Sequence, residues 1–372
     1  MTEHPLTTHT QKPLIDPSIL RAAKRERPER TPVWFMRQAG RSLPEYREIR
    51  GIGSILDVIK DAKLVAEITM QPVRRYGVDA AVLYSDIMVP LLGAGVSVDI
   101  VQGKGPQISN PMRTTKDLDL LRPTEIRDAV HYVKDAIEIL KSSLEVPLIG
   151  FAGAPFTVAS YLIEGGPSKS YSKTKALMLE DERMWHGLME RLVEVAFEFL
   201  RLQIDAGVDL IQVFDSWVGS LSQRHYLKYV KPYTRELFNA LSTYPVPKIH
   251  FGVGTGELLA DMADMNIDVL GVDWRTSLRD AKQRSRRPLA MQGNLDPAVL
   301  EASPKTVLSE CIEVIKSSRS CDGYIFNLGH GVPPHIDPAQ LERIVRFVHE
   351  FGDKIRYEDL DPAVETIWEY LD

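Results

Sequence analysis

The pattern that most constrains this chain is a recurring one. Residues 75–86 read RYGVDAAVLYSD and residues 205–216 read DAGVDLIQVFDS. Each has a helix-like end, then Gly-Val-Asp, then a short apolar run closed by a polar residue. Residues 265–273 (MNIDVLGVD) and 320–330 (SCDGYIFNLGH) are looser copies. Glycine after a helix suits the left-handed cap conformation. Apolar runs that are short, β-rich and not alternating suit parallel strands covered on both faces.

Four further strand candidates lie between the copies: PVWFM from Pro32, PLIGFAG from Pro147, PKIHFGV from Pro247 and PLAMQGN from Pro288. Helical periodicity fills the gaps, clearest where Leu188, Leu192, Val195, Phe199 and Leu202 form a stripe. Eight strands alternating with helices predict an α/β fold, a single-domain (β/α)8 TIM barrel, with an open doubly wound sheet as the next choice. Residues 95–114 break the rhythm and read as an inserted hairpin or loop after strand 2. Residues 164–175 (EGGPSKSYSKTK) read as a mobile loop, either a lid or plain surface. Composition does not shift along the chain, so residues 19–372 are expected to form one barrel domain behind a disordered, polar N-terminal tail, 1–18.

A formal net charge of −6 gives no basic field for nucleic acid. No apolar run reaches the length of a membrane span, and the first residues lack the apolar core of a signal peptide. Two cysteines, Cys311 and Cys321, leave no disulfide framework. These features predict a cytoplasmic protein with no nucleic-acid or membrane partner.

In a barrel, chemistry gathers where the strands end. Those ends carry Arg37 and Arg41, Asp86, residues 153–161 with Tyr161, Ser216, Gly252 and Gly254, Asp273, Gln292 and Asn294, and His330. Arg37 and Arg41 present planar forks of donors that match carboxylates or phosphates. They could face one way if a helix follows Met36, and Gly40 would let the backbone approach a ligand. Plainer roles are open for each: the arginines pairing with acids such as Asp86, Asp86 capping the next helix, and Ser216 and Tyr161 serving as wall and core. Gly329 and Gly331 would clear space around the His330 ring. FDSWVG lacks a nucleophile elbow, FGVGTGELL lacks the lysine of a phosphate loop, and the histidines show no metal-ligand spacing. The cleft therefore reads as cationic on one side with a lone carboxylate, suited to a polyanionic small molecule with N–H groups at its centre.

MRQAGRSLPEYR from Met36, GFAGAPFTVASYLIEGG from Gly150, LYSDIMVPLLGAG, VFDSWVG, MQGNLDP and FNLGHGVPP, in that order, closely resemble the landmarks of the uroporphyrinogen decarboxylase family. The likeness runs from about Ile19 to Phe351. One departure is Ser42, where the family often has tyrosine. The resemblance implies a (β/α)8 barrel, a homodimer with facing clefts, and a lyase needing no metal or organic cofactor. That lyase removes CO2 from the four acetate side chains of uroporphyrinogen III, giving coproporphyrinogen III for haem or another tetrapyrrole. It implies that Asp86 accepts hydrogen bonds from the pyrrole N–H groups and that Arg37 and Arg41 hold substrate carboxylates. Arg37 is also a candidate in proton delivery. Tyr161, Ser216 and His330 would contact substrate, and Gln38, Ala39 and Gly40 would do so through their backbone. Two rivals remain. A methyltransferase of similar fold would need a His/Cys/Cys zinc site, yet Cys311 falls in a helical segment and Cys321 at a strand start. An inactive tetrapyrrole carrier would be expected to have lost Asp86 or Tyr161, and both are present.

Overall fold

Gly77 and Gly207 take the left-handed conformation, with φ of 68° and 108°, and end the helices Ala62–Tyr76 and Glu182–Ala206. A side chain would strain the backbone at both places. The second helix starts on Asp181, whose carboxylate accepts from the Met184 N–H, and it buries the whole Leu188-to-Leu202 stripe. The chain can therefore turn sharply out of each helix into a strand.

The computed structural model describes residues 14, 17–50, 55–101 and 104–358. The strands among them are β1 (Ala81–Val82), β2 (Val98–Val101), β3 (Gly105–Ile108), β4 (Leu148–Gly153), β5 (Leu210–Asp215), β6 (Lys248–Gly252), β7 (Val269–Gly271), β8 (Ala290–Leu295) and β9 (Gly323–Leu328). β1 and β4 to β9 pair in chain order into one seven-stranded parallel sheet. β2 and β3 form a separate antiparallel pair, with Val98 opposite Ile108. The expected strand at 32–36 is reduced to one parallel bridge, Val33 with Phe326. That segment nonetheless bonds to both ends of the sheet. Phe326 N–H donates to Pro32 O at 2.9 Å on the β9 side, and Asp79 N–H to Val33 O at 2.9 Å on the β1 side. The sheet curls because one short segment touches its first and last strands.

Alternate strand residues face two different interiors. Trp34, Ile149, Leu210, Ile249, Phe251, Val269, Ala290 and Ile325 form a core within the curl. The larger core lies between strands and helices. A polar thread crosses the inner one: Trp34 Nε1–H donates to Gln292 Oε1 at 3.1 Å, and Gln292 Nε2–H donates to Gln212 Oε1 at 2.8 Å.

The aspartates of the repeated pattern have a common structural task. Asp79, Asp209 and Asp268 each accept the N–H of the residue opening the neighbouring chain segment: Val33 at 2.6 Å, Leu148 at 2.8 Å and Lys248 at 2.8 Å. Asp79, fully buried, also accepts from Arg30 at 2.8 Å and sits 2.7 Å from His349 Nε2.

The helix Ser18–Ala23 includes Ser18, which is fully buried. Most of the expected tail lies outside the described residues. The loop 164–175 is tied down: Glu164 accepts from Thr174 N–H and Oγ1–H, and Lys175 Nζ donates to Ser220 O at 2.8 Å.

Removing a buried, multiply bonded carboxylate strands its donors. Asp79→Ala should lower stability by about 3–5 kcal/mol, measured as urea unfolding. A loss within about 0.5 kcal/mol, as for an ordinary surface change, would show that Asp79 does not hold the seam.

Candidate active site

The backbone leaves the 32–36 segment in a turn, not the helix that would have set the two arginines on one face; the next helix is Pro44–Arg50. Arg37 itself takes φ of 62°, a left-handed conformation that non-glycine residues rarely adopt. Gln38 holds that turn. Its side chain is buried, accepting from Phe35 N–H at 3.0 Å and donating to Ala80 O at 2.9 Å. It points into the fold, so any ligand contact from Gln38 falls to its backbone. Ala39 packs on the core and Gly40 is partly exposed.

The loop after β9 lies against this turn through a bond from Val332 N–H to Met36 O at 2.8 Å. The glycines beside His330 clear space for other groups than its ring. A methyl group on Gly331 would meet Arg37 Cδ at 2.5 Å, and one on Gly329 would meet Trp274 N at 2.4 Å. The Arg37 side chain therefore reaches its place only because residue 331 has none. Arg37 and Arg41 are exposed and form no ion pair among the described residues. Internal pairing with Asp86, the plainer reading of the arginines, is not what the structure has.

Asp86 follows β1 and is partly buried. Its Oδ1 accepts Met88 N–H at 2.9 Å in the turn before the helix Val89–Gly93, whose N-cap residue is Met88. Desolvation raises its pKa, against the lowering effects of the Met88 N–H and the Arg37 charge. Tyr161, on the helix Pro155–Glu164 after β4, stacks on Trp217 at 3.9 Å between centroids. Burial pushes its hydroxyl pKa up, and the Asp86 charge adds to that. Ser216, beside Trp217, is partly buried at the end of β5. The His330 ring stands edge-on to Trp274, and burial, then the Arg37 and Arg275 charges, lower its pKa to about 4.

One charge thus links the centre: Arg37 acts on Asp86, Tyr161 and His330. Ser216 joins through Trp217, whereas Arg41 sits in the exposed part of the loop. Sequence reasoning missed Arg275 and Tyr171. Arg275 lies over Trp274 at 4.0 Å and pairs with buried Asp273 at 2.6 Å. Tyr171 closes on Trp217 at 5.0 Å from a loop read as mobile. The aromatic and basic residues of these segments were visible in the sequence, but nothing local showed which way they turn.

The fold is α/β, of the TIM-barrel-like class, and beyond the carboxyl ends of its strands it places Arg37 and Arg41, with no ion pair among the described residues, together with the carboxylate Asp86. A solved methyltransferase from Methanosarcina mazei shares the fold, with a TM-score of 0.76 at 18% identity over 91% of this chain and 99% of its own. Closer relatives decide the family. Uroporphyrinogen decarboxylase of Salinispora tropica is 53% identical over 90% of each chain, and that of Mycolicibacterium paratuberculosis is 52% identical over 92% of this chain and 99% of its own. The uroporphyrinogen decarboxylase family profile matches residues 15–351. The chain belongs to the uroporphyrinogen decarboxylase family.

The lowered pKa of His330 carries a sign. Between about 6.5 and about 4 the unfolded chain binds this proton and the folded chain does not. Stability owed to His330 is therefore complete above pH 6.5 and falls as pH drops towards 4. NMR of the imidazole should show a midpoint near 4, and His330→Gln should flatten acid unfolding in that window. A midpoint near 6.5 would place the ring outside the enclosed, cation-flanked cleft.

Proposed function

We propose that this chain catalyses the decarboxylation of the four acetate side chains of uroporphyrinogen III, giving coproporphyrinogen III. The observation that carries the reading is the unpaired Arg37 guanidinium beside Asp86, a carboxylate with one hydrogen-bonded oxygen and one free among the described residues. A substrate with eight carboxylates and four pyrrole N–H groups complements both.

Loss of CO2 leaves an electron pair on the former acetate carbon. A pyrrole protonated on a ring carbon can accept that pair, so the substrate supplies the sink that many decarboxylases take from a cofactor. The C–C bond electrons move into the ring as CO2 departs. A second proton then converts the exocyclic methylene to methyl, and the ring proton is lost. Asp86, as an anion, accepts from the pyrrole N–H groups and stabilises the cationic ring. Arg37 and Arg41 hold carboxylates, and Arg37 stands near enough to the centre to take part in proton delivery. Its high pKa makes it a poor simple general acid. Tyr161, Ser216 and His330 form the wall, with His330 neutral at pH 7. The backbone at 38–40 completes the pocket.

The same proposal includes the closed (β/α)8 barrel, with the 32–36 segment as its eighth stave and the β2–β3 hairpin as an insertion. It also includes one domain from residue 19 onward, a homodimer with facing clefts, action in the cytoplasm, and no metal or organic cofactor. The thiols speak against the zinc-methyltransferase reading. Cys311 is buried in the helix Pro304–Ser317, and Cys321, before β9, has its pKa pushed up to about 12 by burial, far from the strand carboxyl ends.

An anaerobic assay of chelator-treated protein with uroporphyrinogen III, separating products by carboxylate number, tests this. A ladder from eight carboxylates to four is expected. Binding without CO2 loss would favour the carrier. Asp86→Asn should cut turnover ~10²–10³-fold. Because desolvation disfavours the ionised Asp86 side chain, the same change should raise the unfolding midpoint at pH 7. Arg37→Ala with unaltered KM and turnover would remove the role given to that cation.

A further inference from the structure

Behind the cleft wall lies a buried pair that the reaction does not touch. Asp215, the last residue of β5, is fully buried and directly precedes Ser216 and Trp217. Its Oδ1 accepts the Thr157 hydroxyl at 2.9 Å. Thr157, also fully buried, accepts in turn from the Trp217 N–H at 3.3 Å. One turn along the same helix, Tyr161 receives the Trp217 ring in the 3.9 Å stack. Residues i and i+4 on a helix lie on one face. Thr157 therefore holds the backbone of residue 217 while Tyr161 holds its ring, and Asp215 orients the hydroxyl that does the holding. The other Asp215 oxygen lies 3.8 Å from buried His250 Nε2, too far for a hydrogen bond, so the Thr157 hydroxyl is its one hydrogen-bond donor among the described residues.

We propose that Thr157 and Asp215 are positioning residues that fix the Ser216–Trp217 turn, and with it Tyr161, as one rigid wall of the cleft. This rests on the decarboxylase reading for its functional consequence, though not for its geometry. A threonine hydroxyl can accept one N–H and donate to one carboxylate at once, which neither valine nor alanine does. Its loss frees the turn that carries Ser216 while leaving the barrel strands in place. The four successive substrates differ in their side chains, and a wall that yields to each would lose contacts made by the rigid one.

Thr157→Val keeps the volume and removes both bonds; Thr157→Ser restores them. Near-UV circular dichroism reads the Tyr161–Trp217 stack without substrate. Thr157→Val should weaken the band that Trp217→Phe abolishes, and Thr157→Ser should keep it. With uroporphyrinogen III, kcat/KM should fall about tenfold in Thr157→Val at temperatures where it is fully folded, and return to within about twofold in Thr157→Ser. The Thr157→Val/Trp217→Phe double variant should be no worse than the poorer single variant, because both act on one element. If Thr157→Val does not fold, Asp215→Asn, which weakens the acceptor at constant size, should give the same non-additive pattern. An unchanged dichroism band, or losses that multiply independently, would overturn the proposal. A weakened band in a protein whose wild type releases no CO2 would retain the positioning role and remove the decarboxylase reading instead.

Discussion

Aspartates at the amino ends of the strands, Asp79 buried and Asp209 and Asp268 partly so, hold this molecule in register. In parallel pairing, a strand's first N–H often lies beyond the reach of the neighbouring ladder, and a buried orphan donor is costly. Asp209 and Asp268 each satisfy such a donor across to the neighbouring strand. Asp79 does so at the seam, where the 32–36 segment must bridge β9 and β1. There the carboxylate also gathers Arg30 and His349, from beyond either end of that segment. A short piece of chain that makes a single bridge needs such an anchor, and everything after it inherits its position.

Arg37 is the first to inherit it. Four residues past Val33, it leaves the seam in a left-handed turn that Gln38 pins from beneath and Gly331 makes room for from the side. At the amino end, Asp79 and Asp209 each gather a backbone N–H and a cationic side chain, and serve the fold. At the carboxyl end, Asp86 keeps one oxygen free and Arg37 has no acidic partner among the described residues, so desolvation and the Arg37 charge act on Asp86, Tyr161 and His330. Charges left without internal partners are costly for stability and available to a ligand.

Much of the strand order was legible in the chain because parallel strands buried on both faces leave unbroken apolar runs, and helix ends leave glycines. Asp86, Ser216 and His330 were legible for a related reason, that a polar residue after an apolar run marks the end of a strand, whereas Tyr161, inside a helix, stood out only through its motif. Gln38 shows where this fails. It stands between exposed Arg37 and half-buried Ala39, and its side chain turns inward to Ala80, a partner 42 positions away. Likewise the loop 164–175 has the composition of a mobile segment, but Glu164, Lys175 and Tyr171 find partners that only folding brings near.

The sequence by itself determined the alternation of strands and helices, the order of the strand ends and the residue types at each, since these depend on local periodicity and on capping within a few residues. The likeness of its motifs to one family added the chemistry. Only the tertiary structure decided which charged groups find partners, what a side chain at Gly331 would meet, and that Thr157 and Tyr161 grip the same tryptophan. Those outcomes depend on contacts between residues far apart in the chain, and no local pattern records the direction in which a side chain will find its partner.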